Sequence, residues 1–452
     1  MPLGDRVDDD SAALLDAGAF ASPDPGGMDV EALVAPASMR GRAFWSFADQ
    51  ALSSLTNAGL SVVVARTVGQ SAFGAFSLVL VTFSFVIGIG RAVICDVFVI
   101  QFSDVSDQVR RTAARRASGG AVAFGVLSGV LCALAAVAVP TGQARSALFA
   151  LALALPGLLL QDCFRFVFFA AARPAAAALN DLIWAIIQFS LIGVLIASGR
   201  TSIFLITLAW GFAALVAALT ACAQARLLPA PRQAGSWFVV NRGLNVRLGI
   251  DYVLNMGAVN LATYLITAIV GLAGVAALRA AQILLGPLLL LWSGSAAFVL
   301  PVLSTLAGQG RSLIRFATLA SAALTALAVA WVAVLLVLPS ALGRQLLGDS
   351  WAGADTVMLA SGTAIVLTTL SLGPSLALRA LRRPDLLLRV TALQSPFILG
   401  LGVAGAFWRG APGAAEGFAL AQSVGAVTIW VLFLRADGRP RDFGGASAPA
   451  ST

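Results

Sequence analysis

Long apolar segments, separated by short polar stretches, follow one another along most of this 452-residue chain. Each segment holds about 20 residues or more, enough for a helix to cross roughly 30 Å of hydrocarbon. The pattern therefore predicts an all-α polytopic membrane protein. Its twelve predicted transmembrane helices lie at 44–66, 74–100, 118–139, 146–170, 176–198, 202–224, 246–270, 274–303, 314–338, 353–378, 385–407 and 413–435.

The arginines are spread unevenly over the connections between these helices, and this predicts the orientation. If the N-terminus lies in the cytoplasm, twenty arginines fall in cytoplasmic segments and five in external ones. Membrane proteins concentrate positive charge on the cytoplasmic side. We therefore expect a multi-pass protein of the cell's inner (plasma) membrane with both termini in the cytoplasm.

Composition agrees with a membrane protein and excludes several kinds of chemistry. The chain is 59% hydrophobic and 11% charged, with a mean hydropathy of +0.92, far from soluble domains. All 29 basic residues are arginine, and there is neither lysine nor histidine. Walker A loops need lysine, and serine hydrolase triads and HExxH zinc sites need histidine. We expect no enzymatic activity, no catalytic residue, no metal and no cofactor.

The chain is predicted to fold as two lobes of six helices each. The predicted segments are a disordered acidic cytoplasmic tail at 1–39, an N-lobe at 40–225, a cytoplasmic linker at 226–245, a C-lobe at 246–436 and a disordered tail at 437–452.

A faint internal repeat supports the division into two lobes. A shift of 202 places Asp49 on Asp251, and a shift of 210 places Arg173-Pro174 on Arg383-Pro384. Because each half has an even number of helices, both halves start from the same side of the membrane. The repeat is therefore predicted to be parallel, with a pseudo-two-fold axis along the membrane normal.

Each predicted lobe opens with a helix that carries one polar stripe headed by a carboxylate. The stripe residues of interest are Asp49, Ser53 and Asn57 in the first half and Asp251 and Asn255 in the second, and Gln50 directly follows Asp49. Polar stripes within a membrane face a water-filled cavity or another helix, so we predict that these six residues bind substrate between the lobes. A simpler role stays open for both aspartates, since a helix dipole stabilises a carboxylate near the helix N-terminus.

The densest group of polar residues flanks the turn between the fourth and fifth predicted helices. Asp162 and Arg165 are predicted to contact substrate, unless they pair with each other at i, i+3 spacing. The residues predicted to hold or gate this hairpin are Arg173, Pro174, Asp181 and Trp184. For Asp181, pairing with the helix dipole and pairing with Arg173 both remain open.

Two further arginines lie within apolar segments, Arg91 in the second and Arg279 in the eighth. A guanidinium group binds phosphate or diphosphate in a bidentate manner, so both are predicted to contact an anionic substrate. Asp96 is an alternative partner for Arg91. For Arg279 the alternative is that the side chain extends to the membrane surface.

Two stretches resemble a known family. The stretch "ADQALSSLTNAGLSVVVARTVGQSAFGAFSLVLV", followed by "GIGRAV", resembles the first two helices of polysaccharide flippases in the multidrug/oligosaccharidyl-lipid/polysaccharide (MOP) superfamily. "QDCFRFVFFAAARPAAAALNDLIWAIIQ" resembles their fourth and fifth helices. The resemblance implies alternating access, in which the lobes rock around a central cavity. It also implies transport of a saccharide linked to a polyprenyl (di)phosphate from the inner to the outer leaflet, for cell-surface polysaccharide biosynthesis.

Two other functions remain open. The same superfamily contains cation-coupled exporters of cationic drugs, and Asp49 suits a coupling role, whereas Arg91, Arg165 and Arg279 favour an anionic headgroup. The other alternative is a non-transporting membrane scaffold that recruits polysaccharide-assembly enzymes through its acidic tail. The expected partners are the lipid-linked saccharide, the bilayer and those enzymes. Because arginines that set topology account for the net charge of +8, nucleic acid is not expected.

Overall fold

The computed structural model describes the backbone of residues 36–139 and 142–437, and the side chains from residue 52 onward except at 254–255, 293 and 296–298. Within these residues the secondary structure is helical, without any strand. The prediction of an all-α protein is thus confirmed. Most of the predicted tails lies outside the described residues, but residues 36–39, expected in the N-terminal tail, are helical.

The first half of the chain forms six long helices. Their bounds are α1 Pro36–Thr67, α2 Gln70–Phe102, α3 Asp107–Ala138, α4 Gln143–Ala170, α5 Pro174–Ala197 and α6 Ile203–Ala225. Each corresponds to one predicted segment. The largest difference is in α3, which begins at Asp107 rather than at residue 118, because the arginine-rich stretch before the apolar run is helical as well.

The second half contains fewer but longer helices. Their bounds are α7 Ala234–Val240, α8 Arg242–Gly308, α9 Ile314–Leu336, α10 Ser340–Leu347, α11 Ser350–Ala380 and α12 Pro384–Asp437. The short helices α7 and α10 were not predicted, because neither contains an apolar run long enough to cross a membrane. α7 lies within the predicted linker.

α12 is a helical hairpin that contains the last two predicted segments. The helical dihedral angles are interrupted at Gly410, whose φ is 65°, a conformation that glycine adopts readily. The parts before and after this glycine run antiparallel. Gly405 lies against Gly413, and further from the turn Gln394 donates a hydrogen bond to Gln422.

α8 also contains two predicted segments, those at 246–270 and 274–303. Its helical geometry is interrupted at Gly271, with φ 71° and ψ −179°. In the described part of the chain, nine helices are long and apolar enough to cross a membrane: α2 to α6, α9, α11, α12 and the central part of α8. Together with α1 and the two interruptions, this is consistent with the twelve predicted spans.

The two halves meet where α2 packs against the part of α8 that lies before and around Gly271. Near the start of α2, the Gln70 side chain donates to the carbonyl of Ala273 at 3.4 Å. Nearer its end, the Tyr252 hydroxyl donates to the carbonyl of Ser84 at 3.1 Å. Since higher numbers on α2 face lower numbers on α8, the two helices run antiparallel along this interface.

The halves share a buried core at one end of this interface and have separate cores at the other. The shared core includes Phe73 from α2, Ala277 from α8 and Trp351 from α11. At the arginine-rich end, one cluster of buried residues lies within 94–237 and another within 303–433. The halves are therefore packed together most extensively at the arginine-poor end.

The two Arg-Pro sequences that suggested the repeat adopt the same turn. Ala172 and Arg382 both have a left-handed backbone with φ 54°. The next residues, Arg173 and Arg383, each donate their N–H to the carbonyl five residues earlier, at 2.8 and 3.0 Å. This is a Schellman-type helix ending, and in both halves a proline then starts the next helix.

Candidate functional site

A buried carboxylate and a half-buried arginine join α2 to α4. Arg91 donates to Asp162 from Nε at 2.8 Å and from Nη2 at 2.6 Å, which makes the ion pair bidentate. The side chain of Asp162 is 5% exposed and that of Arg91 is 38% exposed. Both oxygens of Asp162 are therefore occupied by Arg91, while part of the Arg91 guanidinium remains accessible. The ring of Phe166 lies 5.7 Å from the Arg91 guanidinium carbon and adds a cation–π contact.

The helix that carries Arg91 is irregular at this point. Residues Arg91–Cys95 are π-helical, between regular α-helix on both sides. π-bulges are rare and occur frequently at functional sites. Asp96, the alternative partner considered from the sequence, starts the helix after this bulge.

A second polar network links α4, α5 and α6. Arg165 Nε lies 3.7 Å from Asp181 Oδ2, and these side chains are 10% and 5% exposed. Gln161 donates to Asp181 Oδ1 at 2.8 Å, and Asn180 donates to the carbonyl of Ala217 at 2.8 Å. These partners differ from the pairs considered from the sequence, Asp162 with Arg165 and Asp181 with Arg173. Buried carboxylates require such pairing, because an unpaired charge in this environment is costly.

The hairpin residues predicted from the sequence make contacts within the first half. Pro174 is buried at the start of α5, and the exposed Arg173 lies with its guanidinium carbon 6.0 Å from the centre of the Phe168 ring. Trp184 donates its Nε1–H to the carbonyl of Trp210 at 3.3 Å, and the two rings stack at 6.3 Å. These contacts connect α4, α5 and α6. A gating role for these residues stays a prediction.

Arg279 lies in the part of α8 after Gly271 and points at α1. Its Nη2 is 3.5 Å from Ser61 Oγ, and its Nε is buried without a hydrogen-bond partner among the described atoms. No described carboxylate forms an ion pair with it. The side chain therefore points into the contact between the halves, not towards the membrane surface as the sequence alternative proposed.

The two polar stripes are only partly described by the structure. The side chains outside the described residues are those of Asp49, Gln50 and Asn255. On α1, Ser53 is half-buried and Asn57 is exposed, and on α8 Asp251 is exposed. That these six residues line one cavity stays a prediction.

Two hydroxyl groups that were not predicted from the sequence also connect the halves. Ser61 donates to the carbonyl of Asn57 at 2.9 Å and faces Arg279. Tyr264 on α8 donates to the Thr82 hydroxyl of α2 at 3.1 Å. Ser61 lies four residues after Asn57, and this helical spacing could have identified it as a further member of the polar stripe on α1. Tyr264 had no comparable signal, since a tyrosine in an apolar helix resembles a core residue.

The predicted arginines thus have different surroundings. Arg91 and Arg165 each face a carboxylate, whereas Arg279 faces a hydroxyl group. An arginine does not lose its proton in proteins, so all three supply permanent positive charge. Arg279 in particular leaves its charge uncompensated by the described residues, and such a group suits an anion with several oxygen atoms.

No known protein family and no curated protein matches the sequence. Solved structures do match the fold. A lipid II flippase, MurJ, in an inward closed conformation has a TM-score of 0.67 at 12% identity, over 87% of this chain and 90% of its own. A multidrug resistance transporter of the MATE family in an inward-facing conformation has a TM-score of 0.62 at 14% identity, over 86% and 98%. An outward-facing MATE family structure has a TM-score of 0.56 at 12% identity, over 88% and 95%.

The helices and these likenesses define a multi-pass membrane protein with a transporter fold. More particularly, the fold is similar to that of the MurJ flippase and MATE transporter structures, in agreement with the fold expected from the two resembling stretches. At 12–14% identity the likeness extends to the fold alone.

Proposed function

We propose that this protein is a flippase that moves a saccharide linked to a polyprenyl (di)phosphate from the inner to the outer leaflet. In this proposal the lobes at 40–225 and 246–436 rock about the α2–α8 interface. The protein lies in the inner membrane with both termini in the cytoplasm, as the arginine distribution predicts. The transporter fold supports transport in general, and the charges between the halves support an anionic substrate.

The observation that carries the proposal is the uncompensated guanidinium of Arg279 at the contact between α8 and α1. A diphosphate that leaves water for a low-dielectric cavity must meet fixed positive charge, or its desolvation would exclude it. The same charge repels a cationic drug. The Ser61 hydroxyl, which donates to the carbonyl of Asn57 in the structure, would turn from that carbonyl to donate to a phosphate oxygen.

The shared core at the arginine-poor end supports alternating access. The halves are sealed together there by residues such as Phe73 and Trp351, whereas the buried clusters at the arginine-rich end belong to separate halves. In the proposed orientation, the sealed end faces outward. A substrate would then enter from the cytoplasmic leaflet, where lipid-linked saccharides are expected to be assembled.

The test compares substitutions of Arg279 in vesicles that contain the lipid-linked saccharide of the host cell. Arg279→Ala should abolish the appearance of labelled saccharide in the outer leaflet. Arg279→Lys should restore transport only in part, because lysine supplies the positive charge but lacks the planar guanidinium group that binds phosphate through two hydrogen bonds. Arg200→Ala, at an exposed loop position, is the matched control and should transport normally. Full translocation by a well-folded Arg279→Ala variant would remove the basis of the proposal.

A cation-coupled drug exporter is the second candidate, because MATE family structures match the fold over a similar share of the chain. In this alternative a coupling cation would bind the buried carboxylate of Asp181, beside Gln161, and would compete there with Arg165, whose Nε lies 3.7 Å from Asp181 Oδ2. Drug resistance that depends on this protein, without translocation of a lipid-linked saccharide, would favour the exporter. The scaffold hypothesis rests on residues 1–35, which lie outside the described part of the chain.

A further inference from the structure

A basic cavity lies outside the proposed transport path, where the start of α3 meets the end of α6. Its volume is about 650 Å³. Arg111 and Arg115 from the first turns of α3 line it together with Arg226, which directly follows α6. The residues come from two separate helices, so the cavity exists only in the folded protein.

The charge of this cavity is largely uncompensated. Arg111 donates from Nη2 to the carbonyl oxygen of Arg226 at 3.0 Å, a contact that leaves its charge in place. Among the described residues, the guanidinium groups of Arg115 and Arg226 have no hydrogen-bond or ion-pair partner. Asp107 is the acidic residue of the lining, and its Oδ1 already accepts from Arg110 at 2.7 Å.

The cavity also lies at the level expected of lipid headgroups. Arg115 precedes the apolar run that begins at residue 118 by three residues, or about 4.5 Å of helix rise. Leu228 forms part of the lining and is 74% exposed, so an apolar side chain stands beside the arginines. Basic pockets between membrane helices on the cytoplasmic side are suited to anionic lipid headgroups.

We propose that this cavity binds a phosphate-bearing anion, and that its source is the headgroup of an anionic phospholipid in the leaflet on the arginine-rich side. The phosphate would contact Arg115 and Arg226, and an acyl chain would lie along Leu228. A free phosphate would use the same arginines but would gain nothing from the exposed leucine.

Such a lipid would be bound next to the connection between the two halves. The N–H of Ala230 donates to the carbonyl of Arg115 at 2.9 Å, which fixes the linker to α3. Further along the linker, Trp237 is buried against Phe98 and Phe102 of α2. A headgroup that bridges Arg115 and Arg226 would thus stabilise the end of α6 and the linker that leads to the second half.

The experiment measures the binding of phosphatidylglycerol to the purified full-length chain in detergent by native mass spectrometry. Phosphatidylcholine is the neutral lipid for comparison, and inorganic phosphate is the soluble competitor. The double variant Arg115→Gln/Arg226→Gln should bind its tightest phosphatidylglycerol roughly 25-fold more weakly, at about fivefold for each arginine near the surface. Arg232→Gln removes an exposed charge of the same linker that does not line the cavity, and should bind as wild type does.

Each outcome decides the proposal. The lipid site is supported if the double variant binds phosphatidylglycerol more weakly, its binding of phosphatidylcholine is unchanged, and phosphate does not compete with phosphatidylglycerol in the wild type. Competition by inorganic phosphate in the wild type, abolished in the double variant, supports a phosphate site and assigns it to a soluble ligand. If the double variant binds phosphatidylglycerol as tightly as wild type does, and phosphate likewise, the proposal is overturned. If the double variant does not fold, the single Arg115→Gln variant, whose side chain has no described partner, should still show the fivefold loss.

Discussion

Replacing Arg91 should have two consequences, one for stability and one for transport, and the structure allows them to be separated. Arg91→Gln removes the bidentate pair and leaves the carboxylate of Asp162 with its side chain 5% exposed and without this arginine. Removing one partner of a fully buried ion pair costs about 3–5 kcal/mol. Because Arg91 is 38% exposed, solvent screens part of this interaction, and we expect a loss of about 2–3 kcal/mol.

The double variant Arg91→Gln/Asp162→Asn also removes the carboxylate that the single variant leaves without its arginine partner. In this variant Asp162→Asn keeps the shape of the side chain and removes its charge, so no buried charge is left without a partner. Its stability should therefore return towards that of wild type, with a coupling energy of about 2 kcal/mol in the double-mutant cycle. The free energy of unfolding in mixed micelles is the quantity to measure.

The transport assay then decides what Arg91 does. If Arg91 only holds Asp162 in place, the neutral double variant should translocate the lipid-linked saccharide as wild type does. If the exposed part of its guanidinium meets the anionic headgroup, the double variant should fold but fail to transport, which is the result we expect. Leaflet-resolved labelling in vesicles distinguishes these outcomes, and normal transport by the double variant would refute a direct contact.

A matched ion pair serves as the control for the stability measurement. Arg383 donates to both carboxylate oxygens of Asp385, at 3.0 and 3.1 Å, but that carboxylate is 47% exposed. The geometry is thus similar and the exposure of the acid is different. The coupling energy of this pair should be much smaller than that of Arg91 with Asp162, because solvent screens both charges. Equal coupling in the two pairs would show that burial of Asp162 does not determine the magnitude.

Three further predictions concern packing, backbone strain and orientation. Gly74→Ala would place a Cβ 1.9 Å from the Leu272 carbonyl oxygen at the α2–α8 contact, so its thermal stability should fall, while Gly286→Ala, with nothing within 4 Å, should retain that of wild type. Ala172→Gly should stabilise the protein against unfolding by about 0.5–1 kcal/mol, since a left-handed φ of 54° favours glycine. Single cysteines in a cysteine-free background should be labelled from outside at Gly142 and Gly410, and only after permeabilisation at Gly235 and Ser312; reversed labelling would contradict the orientation.

The helices could be predicted because the membrane imposes a simple rule on the sequence. Every backbone polar group within the hydrocarbon must be bonded internally, so a long apolar run is a helix. That rule predicted segments that coincide with helices in the described part of the chain, including the two that continue through Gly271 and the two that meet at Gly410. It could not locate α7 and α10, which are too short to carry its signal.

The partners of the charged residues could not be predicted in the same way. Arg91 and Asp162 are 71 residues apart, and their contact depends on how α2 and α4 pack and on the π-bulge at Arg91. Within one helix, spacing suggests pairs, and here it suggested Asp162 with Arg165. The packed structure offered Asp162 a bidentate partner on another helix, and such a pair is stronger than an i, i+3 contact.

The depths of Arg91 and Arg279 suggest how an anion would use them. At 1.5 Å per residue, Arg91 lies about 30 Å along α2 from Gln70, whereas Ser61, which Arg279 contacts, lies only about 9 Å from the end of α1. Both of these helix ends belong to the sealed, arginine-poor side. The two arginines are therefore roughly 20 Å apart along the membrane normal, more than one diphosphate can span. An anion that follows the α2–α8 interface would meet Arg91 first, exchanging with part of its bond to Asp162, and would reach Arg279 only near the sealed end. Under this order, Arg91 would select the headgroup and Arg279 would hold it while the halves separate at the sealed side.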